Sequence, residues 1–292
     1  MIYILENDKL KIKVSSMGAE LQSVCRVEDG TEYLWQGNPT YWDGRATNIF
    51  PMCGRMVEGK YTYGGQTYEL PIHGIVRSME WSVLRQKADA LTLQVQSTEE
   101  SLAMYPFRFA VEMSYTLEAE TLTVAMIVHN LDDKTMLFAV GGHPGFNLPL
   151  ENGQRFEDYC VEFDEPCEAK RLCLSEACFY LNDATPFPLE EGKRIPMRHD
   201  LFDKDAIFLR DTCGEVTLRS AEGKRYVHMS YPQMPFLGLW HTPFTEAPFV
   251  CIEPWTGTPA LDGHVNDLTE LPEMNTLEPE GTYRNVYAIT FG

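Results

Sequence analysis

The chain has 292 residues, 44% hydrophobic and 23% charged, which is the composition of a folded globular protein rather than a disordered one. Its 43 acidic and 24 basic residues give a formal net charge of −19, which argues against nucleic acid or an anionic membrane as a partner, because both attract Lys and Arg. No apolar stretch approaches the roughly 20 residues that span a bilayer, and the first residues lack the features of a secretory signal, so we expect a cytoplasmic location.

Alternation of apolar and polar residues is the main pattern along the chain, and it predicts β-strands with one face on a core. The Gly64-Gly65 pair between two such runs predicts a tight hairpin turn, because both turn positions need a positive φ. In chain order, the alternating runs lie at 10–14, 61–63, 66–68, 91–95, 107–117, 122–128, 216–218, 226–229 and 283–291.

Helix signals are few. The segment Ser97-Thr98-Glu99-Glu100 has the form of a capping box and predicts a helix of about two turns that stops at Pro106. Residues 151–205 contain four prolines and are interpreted as long loops. Many strands with few helices predict an all-β fold, an antiparallel sandwich or barrel, in a single domain over residues 1–292.

The sequence contains no recognisable cofactor or metal motif. The eight cysteines include no C-x-x-C pair. Their one cluster, Cys160, Cys167, Cys173 and Cys178, has spacings that fit no common zinc pattern, so we interpret the cysteines as buried or half-buried thiols in a reducing cytoplasm. Gly-rich nucleotide motifs, H-E-x-x-H and G-x-S-x-G are also absent. We therefore expect neither a metal nor an organic cofactor.

Four segments combine polar, reactive side chains with Gly or Pro between strand-like runs. The third directly follows an apolar strand at 136–140, and its histidine is expected in a glycine turn. In the fourth, a carboxylate ends an apolar strand that Pro254 is expected to prevent from continuing. The four segments are 48–55, 71–77, 141–148 and 249–255.

These segments hold the residues of a possible acid–base site. Glu253, between an isoleucine and a proline, is poorly solvated unless a partner opposes it. Singly, a strand-end Glu253 or a glycine-flanked His143 or His73 is more often an ordinary surface or structural residue. With Arg55 they suggest a division of roles in which a carboxylate takes a proton, an imidazolium gives one and an arginine holds hydroxyl groups or a ring oxygen. The two histidines are also possible metal ligands, but no short spacing supports a metal site.

Spaced as they are, the segments resemble motifs of the aldose 1-epimerase (galactose mutarotase-like) superfamily, most closely its shorter, LacX-like branch, over nearly the whole chain. The resemblance implies a galactose mutarotase-like β-sandwich with few short helices, and cofactor-independent interconversion of the α and β anomers of an aldose. The motifs that carry it are Gly54-Arg55, Gly59-Lys60-Tyr61, His73-Gly74, Gly142-His143-Pro144-Gly145-Phe146-Asn147-Leu148 and Ile252-Glu253-Pro254-Trp255.

The resemblance also implies roles for individual residues. In that family the histidine matching His143 acts as general acid, and the glutamate matching Glu253 acts as general base. The residues matching Arg55 and His73 bind substrate. A further acidic ligand maps to Asp205, although Asp203 is two residues away and is expected to point to the same strand face.

Two more residues are candidates for substrate binding. Arg77 resembles the arginine of an H-G-x-x-R pattern in the hexose-6-phosphate epimerase branch. Trp240 is the aromatic residue expected to stack on the sugar ring. Galactose specificity does not carry over, because the galactose mutarotases proper read Asn-Arg, His-Gly-Gly and Asn-His where this chain has Gly54-Arg55, His73-Gly74-Ile75 and Gly142-His143.

Three alternatives to a mutarotase remain open on the sequence. The first is a hexose-6-phosphate 1-epimerase that holds the phosphate with Arg55 and Arg77. The second is a non-catalytic carbohydrate-binding protein, and the third is a structural sandwich whose polar segments are only turns. The expected partner is a small sugar, free or phosphorylated, and the chain is expected to be a monomer or a homodimer.

Overall fold

The computed structural model describes all 292 residues, and its regular structure is almost entirely β-strand. The single α-helix, α1, spans Glu99–Met104, and short 3₁₀ helices lie at Val57–Gly59, Val76–Ser78, Phe156–Asp158, His199–Phe202 and Leu268–Glu270. No helix in the chain has the length and apolar character that a bilayer crossing requires. The strands are β1 (Ile2–Glu6), β2 (Leu10–Ser15), β3 (Leu21–Arg26), β4 (Ala46–Ile49), β5 (Lys60–Tyr63), β6 (Gln66–Glu69), β7 (Ser82–Gln86), β8 (Ala90–Gln96), β9 (Phe109–Glu118), β10 (Thr121–Asn130), β11 (Met136–Phe138), β12 (Gly141–Asn147), β13 (Tyr159–Phe163), β14 (Lys170–Leu174), β15 (Tyr180–Pro186), β16 (Arg194–Pro196), β17 (Ile207–Arg210), β18 (Glu215–Ser220), β19 (Tyr226–Ser230), β20 (Phe236–Trp240), β21 (Phe249–Trp255), β22 (Asn275–Leu277) and β23 (Thr282–Phe291).

Two large antiparallel sheets form the sandwich that the sequence predicts. One has nine strands in the order β16-β13-β18-β19-β23-β10-β9-β8-β7. The other has seven strands in the order β15-β14-β17-β20-β21-β12-β4. Three small sheets, β1-β2-β3, β5-β6 and β11-β22, complete the fold. The predicted all-β antiparallel sandwich is therefore confirmed.

The main core contains residues of both large sheets. One cluster of 63 buried residues includes Met113 of β9 and Val124 of β10 from the nine-stranded sheet, and Val250 and Ile252 of β21 from the seven-stranded sheet. Alternate residues of β21 point the other way, so both faces of this strand are buried. The seven-stranded sheet thus has a second buried face, and that face carries the candidate site.

The alternation patterns located most of the long strands correctly. The predicted runs at 107–117 and 122–128 form the hairpin β9–β10, and the Gly64-Gly65 turn joins β5 to β6 with positive φ at both glycines. The predicted helix exists as α1, but its N-cap is Thr98, whose capping box pairs with Ser101 rather than with a glutamate.

The interpretation of residues 151–205 as long loops is wrong. This region contains four strands, β13 to β16, which form edges or next-to-edge positions of both large sheets. Two of the prolines that suggested loops, Pro186 and Pro196, are the last residues of β15 and β16, where each lies on an outermost strand. An edge strand tolerates a residue without an N–H, so these prolines do not exclude strands.

The expectation that His143 lies in a glycine turn is also wrong, because residues 141–147 form the interior strand β12. Its glycines leave room for large neighbouring side chains. A Cβ at Gly141 would lie 2.6 Å from the Trp255 ring, and one at Gly142 would lie 2.6 Å from the Tyr287 hydroxyl. Glycine here reflects close packing of a strand rather than a turn.

The strand that carries Glu253 does not end there, contrary to expectation. β21 continues through the following proline to Trp255. Its pairing with β12 is interrupted between the pair Gly141–Trp255 and the pair Gly145–Cys251, where each strand carries a proline that lacks an N–H. The proline therefore removes a donor from the sheet without ending the strand.

Candidate active site

A row of residues crosses five adjacent strands of the seven-stranded sheet. Phe208 of β17 pairs with Gly238 of β20, which in turn pairs with Glu253 of β21. The register on either side of the proline interruption places Glu253 opposite His143 of β12, and His143 pairs with Thr47 of β4. The antiparallel register therefore makes neighbours of two residues that are more than a hundred positions apart in the sequence.

His143 and Glu253 are in direct contact and almost fully buried. Nε2 of His143 lies 3.3 Å from Oε2 of Glu253. Glu253 is 1% exposed and His143 is 7% exposed. The other ring nitrogen of His143, Nδ1, has no hydrogen-bond partner in the protein. The ring is therefore held by Glu253 on one side and by packing on the others.

Burial shifts the pKa values of the two groups in opposite directions. It lowers the pKa of His143 to about 3 and raises the pKa of Glu253 well above its usual range. The nearby Asp205 carboxylate adds a smaller upward contribution to the pKa of each group. A second proton enters the pair only at low pH, and the first leaves only at high pH. The pair consequently holds one proton across a wide range around neutrality.

His73 is held over the pair by an unusual backbone conformation. Its φ is 64°, and the φ of the following Gly74 is 78°. A Cβ at Gly74 would lie 2.1 Å from the carbonyl oxygen of Phe50, so only glycine fits this position. The Gly54 N–H donates to Nδ1 of His73 at 3.3 Å, which places the proton of the neutral ring on Nε2. The His73 and His143 ring centroids are 5.1 Å apart.

Burial also keeps His73 neutral. It lowers the pKa of His73 well below its usual value, and the nearby His143, Arg77 and Arg55 lower it further. A neutral imidazole with its proton on Nε2 is a hydrogen-bond donor at that atom.

Arg55 and Asp205 form an ion pair in the same cavity. Nη2 of Arg55 lies 3.4 Å from Oδ2 of Asp205. The thiol of Cys178 donates to the same oxygen, with Sγ 3.0 Å from Oδ2. The backbone N–H of Ala206 donates to the other carboxylate oxygen at 2.9 Å. Asp205 is thus a carboxylate fixed by three donors.

Asp203 and Asp205, the two candidates for the further acidic ligand, have different surroundings. Both residues lie between the 3₁₀ helix His199–Phe202 and β17, so the expectation that they share a strand face is wrong. Asp205 has a φ of 66° and lines the cavity. Asp203 instead accepts a hydrogen bond at 3.3 Å from the N–H of the exposed Phe244 and does not line the cavity.

Aromatic rings surround the acid–base pair. The Trp42 ring centroid lies 4.9 Å from that of His143, and the Trp240 centroid lies 5.7 Å from it. Trp255 packs 5.4 Å from His73 and 4.5 Å from Phe208, measured between centroids. Such rings supply the apolar surface on which the CH face of a sugar ring rests.

The cavity has a volume of about 490 Å³, which is within the usual range for small-molecule sites. Arg77 lies at its exposed rim, and no carboxylate approaches the guanidinium within 4.0 Å. The structure brings together every residue that the sequence singled out for the site: His143, Glu253, Arg55, His73, Asp205, Arg77 and Trp240 all line this cavity.

One set of buried side chains has the spacing of a metal site. The ligand atoms of His143, Cys251 and Glu253 lie within 4.8 Å of one another. Burial, however, raises the pKa of the Cys251 thiol well above its usual value, and the nearby Glu253 carboxylate raises it further. A metal bound at this cluster would have to displace the thiol proton, since metals bind the thiolate. An exposed cluster of Asp164, Glu215 and His228 lies outside the cavity.

Sequence reasoning missed several residues of the cavity wall. Thr47 and Phe208 belong to ordinary strand segments, and only the register across the sheet places them beside the pair. Trp42 lies outside the four polar segments, and Trp255, although it ends the motif Ile252-Glu253-Pro254-Trp255, was not predicted to line the cavity. Cys178 was grouped with structural thiols, and its contact with Asp205 depends on two distant turns.

Comparisons with known proteins agree with this architecture. The profile of the family described as aldose 1-epimerase matches residues 1–290. Protein LacX from Lactococcus lactis subsp. lactis is 33% identical over 98% of each chain. A galactose mutarotase related enzyme from Lactobacillus acidophilus has a TM-score of 0.94 at 33% identity, with 100% of this chain and 97% of that chain covered. A galactose mutarotase-like protein from Lactobacillus casei has a TM-score of 0.94 at 29% identity, with 100% of both chains covered.

The two-sheet architecture therefore defines a galactose mutarotase-like β-sandwich. Since the profile match covers almost the whole sequence, the chain belongs to the aldose 1-epimerase family.

Proposed function

We propose that the protein is an aldose 1-epimerase, an isomerase that interconverts the α and β anomers of a sugar by opening and reclosing the pyranose ring. The observation that carries this proposal is the buried contact of 3.3 Å between Nε2 of His143 and Oε2 of Glu253 inside the cavity. A protein that only bound sugar would gain nothing from burying an acid and a base in contact.

Ring opening and ring closure each require one proton to be accepted and one to be donated. Glu253 accepts the proton of the C1 hydroxyl, while protonated His143 donates to the ring oxygen, and the bond from C1 to the ring oxygen breaks. The C1–C2 bond then rotates, and the ring recloses with the two roles reversed. Because Glu253 holds the proton of the resting pair, transfer to Nε2 of His143 across their contact precedes ring opening.

The remaining cavity residues hold the sugar. The Nε2–H of His73 and the guanidinium of Arg55 donate to sugar oxygens, and the Asp205 carboxylate accepts from a hydroxyl group. Trp42 and Trp240 provide apolar surface beside the pair. None of these roles requires a cofactor.

Polarimetry of freshly dissolved α-D-glucose and α-D-galactose tests the proposal. The wild-type protein is expected to speed the approach to the equilibrium rotation well beyond the rate of buffer alone. Wild-type protein that binds a sugar in calorimetry but leaves mutarotation at the buffer rate would favour the non-catalytic carbohydrate-binding alternative. Absence of both activity and binding would favour a purely structural sandwich.

A specific observation supports a hexose-6-phosphate 1-epimerase as a second candidate. Arg77 is exposed at the cavity rim without a carboxylate partner, so it is available to a phosphate group, whereas Arg55 is already engaged by Asp205. If this candidate is correct, glucose 6-phosphate has a higher kcat/KM than glucose, and Arg77→Ala removes that preference. Equal values for the two sugars in the wild type would rule it out.

A further inference from the structure

A thiol at the cavity wall has a contact that the proposed mechanism does not use. Cys178 lies between β14 and β15, lines the cavity and is half-buried. It has a φ of 64°, and its N–H donates to the carbonyl of Ser175 at 2.9 Å, which fixes the turn that carries it. This turn brings Sγ to 3.0 Å from Oδ2 of Asp205.

Asp205 depends on such contacts for its orientation, because it does not belong to a strand. It lies in the left-handed region just before β17, where the ladder does not hold it. Oδ2 receives hydrogen bonds from Cys178 and from Arg55, and Oδ1 receives one from the N–H of Ala206. Of these donors, the Cys178 thiol lies closest to Oδ2, since Nη2 of Arg55 is 3.4 Å away.

We propose that Cys178 is a positioning residue of the sugar site: its thiol donates to Asp205 and holds that carboxylate in the orientation in which it accepts a sugar hydroxyl. This inference rests on the proposed function, and it adds to it a residue that acts through Asp205 without touching the reacting atoms. Arg55 remains free to use its other guanidinium donors on the sugar.

The protonation of the thiol supports this role. Burial raises the pKa of Cys178 to about 11, and the hydrogen bond and charge of Asp205 contribute to the increase. The thiol therefore keeps its proton at physiological pH and remains a donor. A nucleophilic or redox-active cysteine needs the thiolate, so the same shift argues against those functions for Cys178.

Substitutions at position 178 separate the loss of the hydrogen-bond donor from the other effects of replacing the side chain. Ala and Ser share the backbone restriction of Cys at a positive φ, and Ser restores a donor that Ala lacks. Cys178→Ala is expected to raise the KM for the sugar about three- to tenfold with kcat within about twofold of wild type, because a binding contact shared by ground and transition states is weakened. Cys178→Ser is expected to recover most of the affinity. Cys173→Ala, which removes a half-buried thiol of β14 that does not line the cavity, is the control and is expected to leave both constants unchanged.

A double-mutant cycle tests whether Cys178 acts through Asp205. In an Asp205→Asn background, Cys178→Ala is expected to change KM by less than about twofold, since the carboxylate that it positions is gone. The inference is overturned if Cys178→Ala raises KM by the same factor in both backgrounds, or if Cys178→Ser is as impaired as Cys178→Ala. Thermal unfolding of each variant identifies any that fail to fold.

Failure of the proposed function gives a different result. If the wild type does not accelerate mutarotation, the dissociation constants of the same variants for glucose and galactose, measured by calorimetry, replace KM in the cycle. A coupled pair in that measurement supports the positioning role at a binding site, and independent effects reject it. A wild type that binds neither sugar overturns both the proposed function and this inference.

Discussion

His143 and Glu253 behave as one unit because they are buried together. Burial disfavours the charged form of each side chain. It therefore lowers the pKa of the histidine and raises the pKa of the glutamate. The contact of 3.3 Å lets a single proton move between them without changing the charge of the site. A pair that holds one proton through neutral pH is ready for ring opening in either direction, as a reversible isomerisation requires.

The pH dependence of mutarotation follows from this shared proton. On the acid side, activity is expected to fall only near pH 3, where His143 takes a second proton. On the alkaline side, activity is expected to fall well above the usual pKa of a glutamate, where the pair loses its proton. Polarimetric rates corrected for the buffer reaction are thus expected to show a broad plateau through neutral pH. A narrow maximum, or an acid limb between pH 5 and 7, would contradict the account.

Glu253→Gln is expected to stabilise the protein in alkaline solution. The folded pair retains one proton. The unfolded chain releases that proton once the pH exceeds the ordinary pKa values of both glutamate and histidine, the higher of which is about 6.5. Above that pH the wild type therefore loses stability by up to about 1.4 kcal/mol per pH unit. Glutamine carries no such proton, and this loss disappears. Urea denaturation of both proteins at pH 6 and pH 8.5 measures the difference, and a gap that does not widen with pH would count against the pKa shift of Glu253.

At the scale of single elements, the sequence predicts strands well where side chains alternate. The hairpin β9–β10 has this pattern on both strands, and its location follows directly. β12 has no such pattern, because Gly141 and Gly142 carry no side chains and the neighbouring Trp255 and Tyr287 occupy their space. Those neighbours come from distant parts of the chain, so local sequence cannot distinguish this strand from a turn.

The position of Glu253 is a second feature that the local sequence does not determine. An isolated proline after a carboxylate indicates the end of a strand, yet β21 continues to Trp255, because it still pairs with β20 on its other side, where Pro254 lies opposite Leu237 and Trp255 opposite Phe236. Sequence motifs identified the residues of the site, whereas the register of five strands determines which of them touch.

The segment that carries His73 has a testable conformational requirement. Gly74→Ala is expected to lower the free energy of unfolding by well over about 1 kcal/mol, because the new Cβ combines a positive φ with a clash against backbone. The clash is with the carbonyl of Phe50, 2.1 Å away. Activity is expected to fall with stability, since His73 loses its place over the pair.

Gly65→Ala is the matched control for this substitution. Gly65 has a φ of 77°, close to the 78° of Gly74, but a Cβ there would meet nothing within 4 Å. The control therefore contains the φ strain without the clash. Equal losses for the two variants in chemical denaturation would show that the contact with Phe50 does not constrain the segment.

At the scale of the whole molecule, the fold supplies both a scaffold and a cavity for the site. The nine-stranded sheet covers one face of the seven-stranded sheet, and the site occupies the other face. The all-β class follows from the sequence pattern, which allowed a sandwich or a barrel, and the galactose mutarotase-like sandwich followed from the family resemblance. The pairing of His143 with Glu253 required the family resemblance, since nothing local links two positions so far apart.

We propose that the whole chain unfolds as a single domain. The cluster of 63 buried residues draws on both large sheets, so neither sheet keeps its core if the other is lost. One cooperative transition is expected in calorimetry, with the same midpoint by tryptophan fluorescence and far-ultraviolet circular dichroism. Two separated transitions would instead indicate two folding units.

The mutarotation rates of His143→Asn and Glu253→Gln test the central claim most directly. Polarimetry on a sugar that the wild type accepts is expected to show that each substitution lowers kcat by roughly a hundred- to ten-thousand-fold, with unfolding temperatures that establish a folded protein. Because the two groups exchange one proton as a unit, the double variant is expected to be about as slow as either single variant. Rates within a fewfold of wild type for both single variants would contradict the account.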